Sequence, residues 1–73
     1  MIEVRLFATF REGRGKILFL DDEKYATAGE IIDALGIPRE EVAILLKNGR
    51  HAKPDVALSG GDVLALFPPT GGG

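Results

Sequence analysis

Seventy-three residues bound the chain to one domain, near the size below which a single core no longer folds without staples. Apolar residues make up 45% of it, which excludes a disordered segment, and a net charge of −2 with acids and bases interspersed excludes a nucleic-acid face of clustered Lys and Arg. The absence of cysteine excludes a disulfide framework and Cys-ligated zinc, and leaves the chain no thiol of its own to carry sulfur or an acyl group.

Residues 2–10 alternate: Ile2, Val4, Leu6, Ala8 and Phe10 point one way and Glu3, Arg5, Phe7 and Thr9 the other, which predicts a strand. The polar Arg11-Glu12-Gly13-Arg14-Gly15 connects it to a second strand over 16–20, antiparallel if the connection closes a hairpin. Thr27-Ala28-Gly29-Glu30 reads as a capping box that opens a helix, with Ile31, Ile32 and Leu35 on one face and Gly36 as its stop. Pro38 blocks any extension, and 39–41 is expected to be a tight turn. A third strand is predicted over 42–48, with Val42, Ile44 and Leu46 inward and Leu45 and Lys47 outward. It ends at Asn48-Gly49, a strong hairpin signal, followed by a short strand over 50–52 that Pro54 breaks. Ser59-Gly60-Gly61-Asp62 is a turn, and Val63 to Phe67 the last strand. A hairpin, one helix and further short strands give an α+β layer pair: a mixed sheet of four or five strands with one main helix on one face.

No stretch approaches the roughly 18 apolar residues of a membrane span. The alternating Met1-Ile2-Glu3-Val4-Arg5 is not a signal peptide, so a cytoplasmic protein is expected, complete as it stands and with Gly73 as its natural end. Residues 1–67 are expected to form the domain and 68–73 a flexible tail. In that tail Pro68 and Pro69 fix φ and favour an extended exit, while Gly71, Gly72 and Gly73 carry no Cβ and fit a slot too narrow for side chains. Extended, 68–73 reaches about 20 Å at ~3.3 Å per residue, enough to span from a docked domain to a buried catalytic centre. A frayed terminus is the plain alternative. The tail is therefore read as the reactive part, with the Gly73 carboxylate as the working group.

Because the helix covers only one side of the sheet, the other side is expected to expose Phe7, Leu45, Val63, Ala65 and Phe67, an apolar patch suited to a partner. Asp21-Asp22-Glu23 reads as a solvated loop rather than a metal site, and no metal is expected. Arg11, Arg14 and Arg39 look scattered. His51, the only histidine, is read as a surface residue.

The strand order, Asn48-Gly49 after an apolar strand, Pro54 and Leu58, Gly61-Asp62, and Ala65-Leu66-Phe67-Pro68-Pro69 leading to Gly72-Gly73 together resemble the ubiquitin-like β-grasp sulfur carriers, with the strongest likeness to the small subunit of molybdopterin synthase. The third glycine departs from the usual diglycine of those tails and resembles the thiamine (thiazole) carriers, which lack the Pro-Pro. The resemblance implies a sulfur carrier for a molybdopterin or tungstopterin cofactor. A ubiquitin-activating-type adenylyltransferase would adenylate the Gly73 carboxylate, a sulfur donor would convert it to a thiocarboxylate, and the large subunit of molybdopterin synthase would receive the sulfur. It implies partner contacts at Phe7, His51 and Phe67, although His51 replaces the usual aliphatic residue, with Leu45, Ala65, Pro68 and Pro69 beside them and Gly71 and Gly72 threading the tail. The chain has no GxxxxGK phosphate loop, so ATP and Mg²⁺ are expected through the partner; it binds no cofactor itself and has no stand-alone catalytic site. The alternatives are sulfur delivery to a thiazole synthase, a protein modifier joined through Gly73 to a lysine, and a binding module whose tail is irrelevant.

Overall fold

In the computed structural model, which describes residues 1–69, the chain forms strands β1 (Ile2–Leu6), β2 (Ile17–Leu20), β3 (Ile44–Lys47), β4 (Arg50–His51) and β5 (Val63–Phe67), with helix α1 (Ala28–Ala34) between β2 and β3. The five strands make one mixed sheet in the order β2-β1-β5-β3-β4; β1 and β5 are parallel and the other pairs antiparallel. This is the expected α+β arrangement, the ubiquitin-like β-grasp.

Period two in β1 sends Ile2, Val4 and Leu6 into a core where none has any exposed surface, and Leu64 and Leu66 join them from β5. Helix α1 closes that side with the fully buried Ile31 and Ile32. At seven residues α1 is too short to hold its shape by propensity alone, so its apolar face and its caps sustain it. Thr27 Oγ1 accepts the Glu30 N–H at 3.3 Å, as the capping box predicts. Glu30 reaches back one residue further than the motif requires and accepts the Ala26 N–H at 2.9 Å. Gly36, at φ 74°, ends the helix in the left-handed region.

Two expectations fail, each for a local reason. The strand predicted over 2–10 stops at Leu6. Ala8 turns to φ 52° and the chain winds into a 3₁₀ helix over Ala8–Arg11 that brings Phe10 into the core. An inward Phe10 fits a continued strand and a helical turn equally well, so alternation did not separate them. Arg11 and Arg14 are not scattered: Arg11 Nε donates to the Leu6 carbonyl at 2.8 Å, and Arg14 donates to Leu35 O at 2.9 Å and Phe10 O at 3.2 Å. They satisfy carbonyls around the irregular turn. Arg39, in a 3₁₀ turn over Arg39–Glu41, pairs with Asp33 through two hydrogen bonds.

The second failure is the register of β3. Leu45 lies in the core opposite Leu66, at 5% exposure, and Ile44 faces out opposite Phe67, at 40%. The run Val42-Ala43-Ile44-Leu45-Leu46 is apolar throughout and offers two registers that differ by one residue, which exchanges the faces. Pairing with β5 decides between them, and the Ala43 N–H to Phe67 O bond at 2.9 Å continues that ladder.

Asn48 and Gly49 both have positive φ, 51° and 83°, the primed hairpin turn that joins β3 to β4. Asn48 does more than turn the chain. Its Nδ2 donates to Asp62 Oδ1 at 3.0 Å and its Oδ1 accepts the Val63 N–H at 2.9 Å, while Asp62 Oδ2 accepts the Ser59 N–H at 2.8 Å. The turn before β5 is thus tied to the turn after β3. The Asn48 side chain first, then the Ser59 amide, and to a lesser degree the Lys47 charge hold the Asp62 carboxyl below its ordinary 3.8 against the opposing effect of burial.

The register predicts that Leu45→Lys destabilises the domain by about 3 kcal/mol or more, whereas Ile44→Lys stays within about 1 kcal/mol, both read by urea unfolding. The opposite ranking would restore the register expected from the sequence. A carboxylate with a depressed folded pKa stabilises fully above its unfolded pKa and loses that contribution as the pH falls through the folded value. Wild type should therefore exceed Asp62→Asn by about 1–2 kcal/mol at neutral pH. The gap should close as the pH is lowered from about 5 toward 2; a gap independent of pH would contradict the role given to Asp62.

Candidate functional site

The sheet face away from α1 holds the site. Phe7 follows β1 in extended conformation, at φ −126° and ψ 153°, so it continues the alternation by one residue and turns away from the core. Parallel pairing of β1 with β5 sets Leu6 against Leu66, which places Phe67 beside Phe7. The two rings stack with centroids 4.1 Å apart and planes 10° apart, and the Arg11 guanidinium lies 5.2 Å from the Phe7 centroid. Phe7 thus stacks on Phe67 and also has a guanidinium over its ring, and both rings are half shielded from water.

Around the stack, Ala65 faces out opposite Leu46, and Ile44 faces out opposite Phe67. His51 is exposed on β4 opposite Leu46. The structure therefore brings together Phe7, Ala65, Phe67 and, at the rim, His51. Leu45 does not belong with them: it is a core residue, and Ile44 and Leu46 occupy the outward positions on β3. The pattern did not reveal Arg11, whose only signal was its position four residues after Phe7. Toward β2 the face changes character, because Glu3 and Arg5 form an ion pair on β1 before Ile17 and Phe19 appear at the edge.

The chain leaves from this patch. The Phe67 carbonyl is held by the Ala43 N–H, Pro68 is half-buried and Pro69 exposed. The positions read as the threading and reactive glycines, Gly71, Gly72 and Gly73, lie outside the described residues. A shallow hollow of about 540 Å³ lies apart from the stack on the β3–β4 hairpin, lined by Lys47, Asn48, Arg50, His51, Ala52 and Val56. Its Lys47 is already engaged, donating to Ala57 O at 2.9 Å. Among the described residues no three His, Cys, Asp or Glu side chains gather as a metal site, and no helix is long and apolar enough to cross a membrane. Asp22 of the acidic loop takes the Met1 ammonium at 2.6 Å, which lowers the Asp22 pKa and raises that of the amine.

The ThiS family model matches residues 4–73. The chain belongs to the ThiS family. Across 99% of this ThiS-family chain and 98% of the relative, it is 31% identical to small archaeal modifier protein 3 of Haloferax volcanii. The crystal structure of SAMP1 from the same organism superposes with a TM-score of 0.76 at 32% identity, covering 99% of this chain and 98% of that one. The complex of subunits 1 and 2 of the molybdopterin-converting factor of Helicobacter pylori contains a chain that shares the fold, with a TM-score of 0.64 at 23% identity and coverage of 99% and 97%.

Stacked rings couple energetically beyond the area they bury. In a double-mutant cycle of Phe7→Ala and Phe67→Ala, unfolding free energies should show a coupling of about 1 kcal/mol. Additivity within about 0.3 kcal/mol would mean the rings stand side by side without supporting each other.

Proposed function

We propose that this chain is a ubiquitin-like carrier whose working group is the Gly73 carboxylate, activated in a partner enzyme and then passed on. The observation that carries the reading is the exit of the chain: Phe67 is pinned by the Ala43 amide and stacked on Phe7, so Pro68 and Pro69 start the tail from a fixed point on a half-exposed apolar patch. A partner that grips Phe7, Ile44, Leu46, Ala65 and Phe67, with His51 at the rim, receives the tail in a set direction. Residues 68–73 then act as the lead, with Gly71 and Gly72 threading a narrow channel.

A free carboxylate is anionic and resonance-stabilised, and therefore a poor electrophile. Its attack on the α-phosphorus of ATP expels pyrophosphate and leaves an acyl adenylate with AMP as leaving group. ATP and Mg²⁺ belong to the adenylyltransferase partner, since this chain has no phosphate loop. Two acceptors fit the adenylate. A sulfide-level donor displaces AMP and leaves a thiocarboxylate on Gly73; membership of the ThiS family and the Phe67-Pro68-Pro69 exit favour this fate. The recipient is then the large subunit of a molybdopterin-type synthase, for a molybdenum or tungsten cofactor, with a thiazole synthase as the other sulfur-accepting class. A target lysine amine displaces AMP, loses a proton and forms an isopeptide bond; the full-length likeness to a small archaeal modifier protein favours this second fate.

Intact-mass analysis after incubation with the activating enzyme of the same cell, ATP and sulfide should show a gain equal to the difference between one sulfur and one oxygen. Deletion of Gly72-Gly73 should abolish it. In cell extracts, trypsin should leave target lysines carrying a branch from His51 to Gly73, because Lys53 precedes Pro54 and no Lys or Arg follows it. An unchanged mass together with no branched peptide would overturn the carrier reading.

A further inference from the structure

Strand β2 is an edge of the sheet, and it is not blunted. Its four residues, Ile17-Leu18-Phe19-Leu20, include no charge and no proline. Charge and proline are two of the devices that keep an edge strand from pairing with another chain. Ile17 and Phe19 face the open side at 51% and 63% exposure, and Leu18 and Leu20 are only partly covered on the core side. The Leu6 N–H donates to Lys16 O at 2.9 Å; with antiparallel alternation this turns the peptide groups of Leu18 and Leu20 toward β1 and those of Ile17 and Phe19 off the edge.

The charges at its ends specify the occupant. Lys16 precedes the strand, and Asp21 and Glu23 follow it; Arg14 and Asp22 are engaged within the chain, on the Leu35 and Phe10 carbonyls and on the Met1 ammonium. A second copy laid antiparallel sets the basic end against the acidic end twice, while a parallel copy sets like against like. We propose that β2 is the dyad strand of a homodimer, in which two copies pair antiparallel with Leu18 on the axis and join their sheets into one. In this register Ile17 sits opposite Phe19 of the partner subunit on the open face, and the outward peptide groups of both residues are paired. Leu18 meets its own counterpart on the core side, and Lys16 lies opposite Leu20 of the partner subunit, at the strand end that the exposed Glu23 follows. A register one step along, with Phe19 on the axis, would put Ile17 against Asp21 of the partner subunit and expose the apolar surface that the proposed register covers. The Phe7–Phe67 stack stays clear, and both stacks face the same side of the joined sheet.

Sedimentation equilibrium over rising concentration should show the mass doubling. Lys16→Glu and Phe19→Lys, both at exposed positions, should raise the dissociation constant about tenfold or more while leaving circular dichroism unchanged. The chain has no cysteine, so introduced ones report alone. Leu18→Cys should oxidise to a covalent dimer faster than Phe19→Cys. A monomer at all concentrations, a dimer indifferent to Lys16→Glu and Phe19→Lys, or faster closure by Phe19→Cys would each overturn the proposal; the first outcome would leave the edge to a strand from a different protein.

Discussion

The parallel pairing of β1 with β5 is the constraint on which the other features depend. It joins the two ends of the sequence in the middle of the sheet, so that Val4 and Leu6 meet Leu64 and Leu66 in the core. Closing a loop of nearly the whole chain is slow and entropically costly, and the cost is met only when the apolar residues of both strands are buried together. The same pairing fixes what lies on the other side. One residue past the inward Leu6 and Leu66 come Phe7 and Phe67, side by side and stacked. The chain leaves the fold from that stack, and a single register accounts for both the stability of the domain and the point from which its tail departs.

Around this centre the side chains act as ties between irregular segments. Asn48 and Asp62 bind the turn after β3 to the turn before β5, which holds β5 at its start, and the Ala43 amide holds it at its end. Arg11 and Arg14 close the 3₁₀ turn onto the carbonyls of Leu6, Phe10 and Leu35, and Arg11 covers Phe7 as well. These are half-exposed interactions whose individual worth is modest. Their effect is positional: they hold Phe7 where the stack needs it although β1 has ended.

Much of this was legible because each signal named a local geometry. Alternation gave β1 and β5 their faces, Thr27 and Glu30 marked the start of α1, Gly36 its end, and Asn48-Gly49 and Gly61-Asp62 their turns. The signals failed where two geometries satisfied the same residues. Phe10 is inward in a strand and inward in a 3₁₀ turn. The five apolar residues from Val42 to Leu46 permit either register, and the choice rests with β5, far along the chain; that slip moved Leu45 from the patch to the core and brought Ile44 out. The candidate site was legible at Phe7 and Phe67 because aromatics that face away from a core have few other uses. Arg11 was not, since an arginine gains its meaning only from what it stacks on.

In the proposed function the folded face, and not the tail alone, presents the terminal carboxylate. The direct measurement is pyrophosphate exchange catalysed by the activating enzyme of the same cell, with the intact chain compared with a synthetic peptide of residues 66–73. Presentation by the Phe7–Phe67 face predicts that the peptide falls short of the chain in kcat/KM by about a hundredfold or more, and that Phe7→Ala with an intact tail loses part of that advantage. A peptide as efficient as the whole chain would contradict it.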